Sequence, residues 1–159
     1  MDSSERRADP AGPESAARRR AMAAFAAAGI AEFEACDLVA RAAETATDLR
    51  PPEAGLVMVR GRIGGDGAAF NLGEATVARA SVRLAQGPVG HAYRLGRDTR
   101  TARLAAVADA LWQAPATRAG IEASIVRPVE DRLAAEADLS SRRAAATRVD
   151  FFTLVRGED

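Results

Sequence analysis

The sequence of 159 residues has no lysine, since all 22 of its basic residues are arginine. That absence excludes a Schiff-base lysine and a Walker-type phosphate loop, whose lysine reaches the bound phosphates. Cys36 is the only cysteine and cannot form a disulfide within the chain. It lies among apolar residues and is expected to be packed. With His91, the only histidine, it cannot supply the three or four protein ligands of a zinc site. We therefore expect no catalytic residue, metal or cofactor in this chain.

The charges balance, with 22 acidic and 22 basic residues. A chain without net charge has no overall field that attracts nucleic acid or an anionic membrane, so any recognition of anions must be local. No stretch approaches the roughly 20 apolar residues of a membrane span. The apolar run 21–30 begins too far from Met1 for a signal peptide. We expect a cytoplasmic protein that binds neither nucleic acid nor membrane.

Proline, glycine and hydrophobic periodicity divide the chain into elements. Residues 1–15 are polar and predict a disordered tail, and 16–159 predict one domain. Helices are expected over about 16–28 and 31–44, and strands over 55–62, from Phe70, over 75–84, 89–95 and 149–155. The glycine-rich stretch 64–67 reads as a hairpin turn, because a strand and not a helix follows it.

The chain after residue 98 is expected to be mostly helical. Asp98 or Thr99 is the expected cap of a helix that ends before Pro115, with a further helix kinked at Pro128. Ser140 or Ser141 is expected to cap a last helical piece. The order of elements predicts an α+β fold, a single domain with an antiparallel sheet of about four strands and helices before and after it.

A two-residue turn at Gln86 and Gly87 would fix the register of one hairpin. It pairs Leu84 with Val89, Val82 with His91, and Ala80 with Tyr93, which places His91 on a largely apolar face as a packed side chain. Arg79, Arg83 and Arg94 then share the other face, with Arg79 directly beside Arg94.

Like charges on neighbouring strands repel unless an anion lies near them. Two interpretations stay open for this face: a solvated surface with local acidic partners, or a contact for a partner's carboxylates or a phosphate. The candidate anion or partner contacts are Arg79, Arg83, Arg94 and Arg97.

The stretch 149–155 has apolar side chains on both faces of its predicted strand. Phe151 lies on one face, and Phe152 and Leu154 lie on the other, so both faces need cover. Either the domain itself buries them or one face packs on another subunit. The candidate interface residues are Phe151, Phe152, Leu154 and Arg156.

Three stretches resemble a known family. They are RPPEAGLV at 50–57, running on to the turn at 64–67; FNLGEATV at 70–77, running on through 79–84, 96–98 and 109–111; and RVDFFTLVRG at 148–157. The last is the most specific. Over about residues 17–159 the chain is similar to the PhnG family, a subunit of the bacterial carbon–phosphorus lyase core complex that degrades organic phosphonates.

The resemblance implies an accessory subunit without known catalytic residues. It implies a twofold complex with PhnI-like, PhnH-like and PhnJ-like subunits. It also implies a role beside the PhnI-like chain in replacing the adenine of ATP with an alkylphosphonate, as in a ribose 1-phosphonate 5-triphosphate synthase. ATP and the phosphonate would be substrates of the complex. The alternative is a stand-alone small-molecule or nucleotide-binding module.

Overall fold

Three helices open the fold in the computed structural model, which describes residues 12–62, 67–85 and 87–146. They are α1 (Pro13–Ala27), α2 (Ile30–Glu34) and α3 (Asp37–Thr45). The stretch predicted as one helix over 31–44 is two helices, separated at Ala35 and Cys36. Cys36 is buried as expected, and it precedes the first turn of α3. The Glu32 carboxylate accepts the Gly29 N–H at 2.6 Å and caps the start of α2.

Three antiparallel strands form the sheet in the order β1, β2, β3. They are β1 (Thr47–Gly61), β2 (Phe70–Arg83) and β3 (Val89–Leu95). β1 is longer than expected because it includes Pro51 and Pro52. An edge strand tolerates their missing N–H groups, and register shifts flank them at Arg50 and Glu53. The expected stretches from Phe70 and over 75–84 are one strand.

The second helical group follows β3. It comprises α4 (Thr99–Gln113), α5 (Pro115–Ile121), a π-helical segment (Glu122–Val126) and α6 (Arg127–Ala146). The Asp98 side chain accepts the Thr101 N–H at 3.0 Å and caps α4, as predicted. The irregularity expected at Pro128 is the π-helical segment just before it, after which the Arg127 N–H bonds the Glu122 carbonyl oxygen five residues back. The predicted cap at Ser140 or Ser141 is wrong, because α6 runs through both residues.

The helices confirm the α+β fold class. The sheet has three strands within the described ranges, and the stretch 149–155, predicted as a further strand, lies outside them, as does most of the turn at 64–67. α4 packs on one face of the sheet and is buried over most of its length. The largest side chains that are fully buried in this core are Trp112, Phe25, Phe33, Ile121 and Ile125.

The register between β2 and β3 corrects the sequence-based prediction by one residue. Arg83 pairs with Val89, Ser81 with His91, and Arg79 with Tyr93, so the predicted two-residue turn is wrong. A slip of one residue exchanges the two faces of one strand relative to the other. Arg79 and Arg83 therefore share a face with His91 and Tyr93.

The physical reason for this register is the close approach of β3 to α4 at Gly90. A Cβ added there would lie 1.9 Å from the Ala106 carbonyl oxygen and 2.6 Å from the Ala110 nitrogen. Only a residue without a side chain fits this distance. Gly90 and Ala92 must therefore face α4, together with Ala78, Ala80 and Val82 of β2, which are all buried.

Arg103 joins the end of a helix to the sheet. Arg103 donates to the carbonyl oxygens of Ala43 and Ala46, each at 3.0 Å, and its Nε lies 2.7 Å from the Asp48 carboxylate. The last carbonyls of a helix have no partner within the helix, and a cation at that end also interacts favourably with the helix dipole. The guanidinium thus satisfies the end of α3 and joins it to the start of β1.

Candidate interaction site on the open sheet face

Polar side chains of β2 and β3 lie together on the sheet face opposite α4. Arg79, Ser81 and Arg83 come from β2, and His91 and Tyr93 from β3. The alternation of the strands places them here once Gly90 is fixed toward the helix. His91, Tyr93 and Arg83 are exposed, so this open sheet face is available for contact in the described part of the chain.

Ser81 and His91 are directly paired across the two strands. A hydrogen bond of 2.9 Å joins Ser81 Oγ to His91 Nδ1. The expectation that His91 packs on an apolar face is wrong, because the corrected register turns it outward. A hydroxyl and an imidazole at this distance are two parts of a nucleophile arrangement, which also needs a group that orients the base. No carboxylate in the described ranges bonds the other ring nitrogen, so the pair holds the surface side chains in place.

Arg79 and Arg83 differ in their partners. The Arg79 Nε donates to the Glu53 carboxylate of β1 at 2.9 Å, and this hydrogen bond raises the pKa of Arg79. For Arg83, the structure shows no ion pair with another described residue. Arg83 therefore presents a guanidinium on the open face with its fork of donors directed to solvent, which suits a carboxylate or phosphate ligand.

Arg94 belongs to a different environment. Its register partner is Ala78, so it is not beside Arg79 as predicted. Its two terminal nitrogens donate to the carbonyl oxygens of Phe25 and Ala28 at the end of α1. Burial lowers its pKa, and its guanidinium lies 6.0 Å from the centre of the Phe33 ring. Arg94 thus satisfies a helix end.

Arg97 follows β3 in a bend and is exposed, away from the pairs that the two strands form. The structure therefore brings together two of the four candidate arginines, Arg79 and Arg83. The interface candidates Phe151, Phe152, Leu154 and Arg156 lie outside the described residues.

Asp109 is a buried acidic residue that the sequence reasoning did not identify. Its carboxylate accepts two bonds from Arg18, Nε to Oδ1 at 3.0 Å and Nη2 to Oδ2 at 2.8 Å. It also accepts the backbone N–H of His91 at 2.9 Å and is fully buried. A carboxylate within an otherwise apolar helix stripe is a signal for such a pair. Asp109 thus accepts a hydrogen bond from the outer edge of β3 at His91 and, through Arg18, joins α1 to the sheet.

An apolar groove runs between α1 and β3 at the border of this face. It has a volume of about 360 Å³. The side chains that line it include Met22, Ala23, Ala26, His91 and Tyr93. Within 12–62, 67–85 and 87–146, no three His, Cys, Asp or Glu side chains are grouped so that they could hold a metal ion. No helix in these ranges has the length and apolar character needed to cross a bilayer.

Comparison with known proteins agrees with the resemblance seen in the sequence. Residues 16–157 match the model of the family described as phosphonate metabolism protein PhnG. A protein of Rhizobium meliloti (strain 1021), named alpha-D-ribose 1-methylphosphonate 5-triphosphate synthase subunit PhnG, is 54% identical over 145 residues. The alignment covers 91% of this chain and 92% of that relative. This chain belongs to the PhnG family.

Proposed function

We propose that this chain is an accessory, non-catalytic subunit of an alpha-D-ribose 1-methylphosphonate 5-triphosphate synthase in phosphonate catabolism. The observation that carries the proposal is the relative named as a subunit of that synthase, which is 54% identical and is aligned over nearly its full length. We propose that the subunit acts in the cytoplasm beside a PhnI-like chain, in a twofold complex that also holds PhnH-like and PhnJ-like chains.

The chemistry explains why a subunit without catalytic groups would be needed. An oxygen of the phosphonate bonds to the anomeric carbon of the ribose while the bond from that carbon to adenine breaks, and adenine leaves with a proton. Such a displacement develops oxocarbenium character. Water competes as a nucleophile, so the site must be closed. A subunit that covers or orders a partner's site would serve this need.

The open sheet face supports this role. Arg79 and Arg83 provide guanidinium groups for carboxylates of a partner chain or for phosphate groups, and Tyr93 adds an aromatic surface beside them. The Ser81–His91 pair is exposed and lacks an orienting carboxylate among the described residues. We therefore assign these side chains to contact and not to catalysis. Phe151, Phe152, Leu154 and Arg156 remain the proposed interface at the C-terminal end.

Reconstitution tests the proposal. The PhnI-like, PhnH-like and PhnJ-like chains would be incubated with ATP and methylphosphonate, with and without this chain, and phosphorus NMR would follow the product. Product should form only when this chain is present, and this chain alone should form none. The variants Ser81→Ala and His91→Ala should retain activity once the complex is assembled. Turnover by the isolated chain that Ser81→Ala abolishes would refute the accessory role.

The arginine contact has its own test. Arg79→Gln combined with Arg83→Gln should weaken co-purification of this chain with the other subunits. Arg127→Gln, an exposed arginine at the start of α6, is the matched control and should co-purify normally. Calorimetric titration of the isolated chain with ATP distinguishes the alternative, because a stand-alone nucleotide-binding module would bind ATP without its partners.

A further inference from the structure

The β1–β2 hairpin extends beyond the rest of the sheet. β3 pairs with β2 only from Val77 to Arg83, and a bond from the Gly96 N–H to the Thr76 carbonyl oxygen follows, so residues 56–61 and 70–76 otherwise pair only with each other. We call these two stretches the ribbon arm. Two strands without a third are at best marginally stable in water unless something packs on them. The ribbon arm therefore needs another surface that packs on it.

Large apolar side chains of the ribbon arm are exposed. Leu56 is 62% exposed, Met58 53% and Leu72 61%, while Val59 and Phe70 are each about 40% exposed. Leu56 and Met58 lie on the face that α4 covers farther along the sheet, and Val59 lies on the opposite face. A polar sheet surface would not carry such residues on both faces, whereas a contiguous apolar surface marks an interaction site.

One acidic side chain lies within this apolar surface. Glu74 pairs directly with Met58, so its carboxylate is on the same face as Met58 and Leu56. None of the ion pairs among the described residues includes Glu74. Burying that carboxylate against another surface is costly unless a basic group meets it.

These features disfavour a second copy of the chain as the cover. Face-to-face packing of two arms about a twofold axis would cover one face of each arm and leave the other in water. It would also bring two Glu74 carboxylates into one apolar contact without a cation between them. Edge-to-edge pairing of two β1 strands would cover neither face.

We infer that the ribbon arm inserts into a groove on a different polypeptide, one that has apolar walls and a basic side chain opposite Glu74. The inference rests on the proposed role as a subunit of a synthase. It adds a docking element that is distinct from the open face of Arg79 and Arg83. The arm would be solvent-exposed in the isolated chain and enclosed on both faces in the complex.

Oxidation of Met58 reports directly on this enclosure. Dilute hydrogen peroxide converts accessible methionine to its sulfoxide, and mass spectrometry of peptides measures the rate at each methionine. In the isolated chain Met58 should oxidise readily, and in the complex with the PhnI-like, PhnH-like and PhnJ-like chains at least about tenfold more slowly, since an interface core excludes water. A free methionine-containing peptide added to both samples serves as the reference for peroxide exposure.

Substitutions then test whether the arm contributes to binding. Leu56→Ser combined with Leu72→Ser should weaken association with the other chains about 10- to 100-fold, and Glu74→Arg about tenfold or more. Leu139→Ser changes a leucine of α6 that is 46% exposed and should bind normally. Circular dichroism would confirm that each variant is folded.

Three results would overturn the inference. The first is normal association of the Leu56/Leu72 variant, or equal loss with Leu139→Ser. The second is slow oxidation of Met58 in an isolated chain that light scattering shows to be monomeric, which means that the chain covers its own arm. The third is an isolated dimer that the Leu56/Leu72 variant dissociates, which identifies a second copy as the cover. Failure of the unaltered chain to join the complex would refute the proposed function as well.

Discussion

Replacing Gly90 by alanine should strongly destabilise the protein. The added Cβ would lie 1.9 Å from the Ala106 carbonyl oxygen, against an ordinary carbon–oxygen contact of about 3.3–3.6 Å. It would also lie 2.6 Å from the Ala110 nitrogen and 2.9 Å from the Ala110 Cβ. The obstacle is the backbone of α4 and not the end of a flexible side chain, so β3 and α4 must separate by more than about 1 Å.

Overpacking of this kind typically costs about 1–3 kcal/mol, and a backbone obstacle places Gly90→Ala near the upper value. For a chain of this size, about 3 kcal/mol lowers the melting temperature by roughly 6–12 °C. Thermal and urea unfolding followed by circular dichroism would measure both quantities. Gly55→Ala in β1 is the matched control, because a Cβ added there meets no atom within 4 Å. It should change the free energy of unfolding by no more than about 0.5 kcal/mol.

The comparison also decides between the two hairpin registers. In the register expected from a two-residue turn, Gly90 points away from the helix-covered face, and alanine there would be tolerated. If Gly90→Ala is as mild as Gly55→Ala, then β3 does not approach α4 through Gly90. The placement of His91 and Tyr93 beside Arg79 and Arg83 would then be wrong as well.

Three further substitutions test individual hydrogen bonds. Asp109→Ala should lower the free energy of unfolding, measured in urea, by about 2–3 kcal/mol. This is less than the roughly 3–5 kcal/mol expected for a fully buried pair, because Arg18 stays one-third exposed. A loss below about 1 kcal/mol would contradict the pairing. Arg94→Gln should lower the free energy of unfolding by about 2 kcal/mol, and Arg97→Gln by less than about 0.5 kcal/mol, both measured by thermal unfolding. The reason is that Arg94 bonds buried carbonyl groups and Arg97 does not. Equal effects would refute that distinction. Asp98→Ala should cost about 1 kcal/mol at pH 7 through loss of the α4 cap. Hydrogen bonds from Thr101 lower the pKa of Asp98. The difference in unfolding free energy between variant and parent should therefore persist above pH 3.8, the ordinary pKa, and shrink as the pH falls through the lowered pKa. A difference that is unchanged at pH 2 would count against the charged cap.

The elements that the sequence predicted correctly depend on local signals. The cap at Asp98 or Thr99 and the break at Pro115 were enough to predict α4 with nearly its observed ends. The hairpin of β2 and β3 followed from two extended runs around a glycine. Such signals involve residues close in sequence, and they therefore predict the type of element and the fold class.

The site required information that lies far apart in sequence. β3 has the small residues Gly90 and Ala92 on one parity and the larger His91 and Tyr93 on the other, so alternation alone did not identify its buried face. The choice is made by the fit of Gly90 to α4, a contact between residues about 16–20 positions apart. Arg94 resembled a surface arginine because the carbonyl groups that it bonds belong to α1. In both cases local sequence gave the residue type but not its partner.

The π-helical segment Glu122–Val126 has a consequence for the phase of the last helix. A π turn holds one residue more than an α turn, and each residue of an α-helix turns the side-chain direction by about 100°. Deleting one residue from this segment would therefore leave an ordinary α turn, and the residues after it would keep their facing. Val129 would stay in the core, and Arg132 would keep its bonds to the Ala27 carbonyl and the Glu32 carboxylate. A single-residue deletion here should therefore be less damaging than one in the regular turns at the start of α6, which would rotate the residues after it by about 100°.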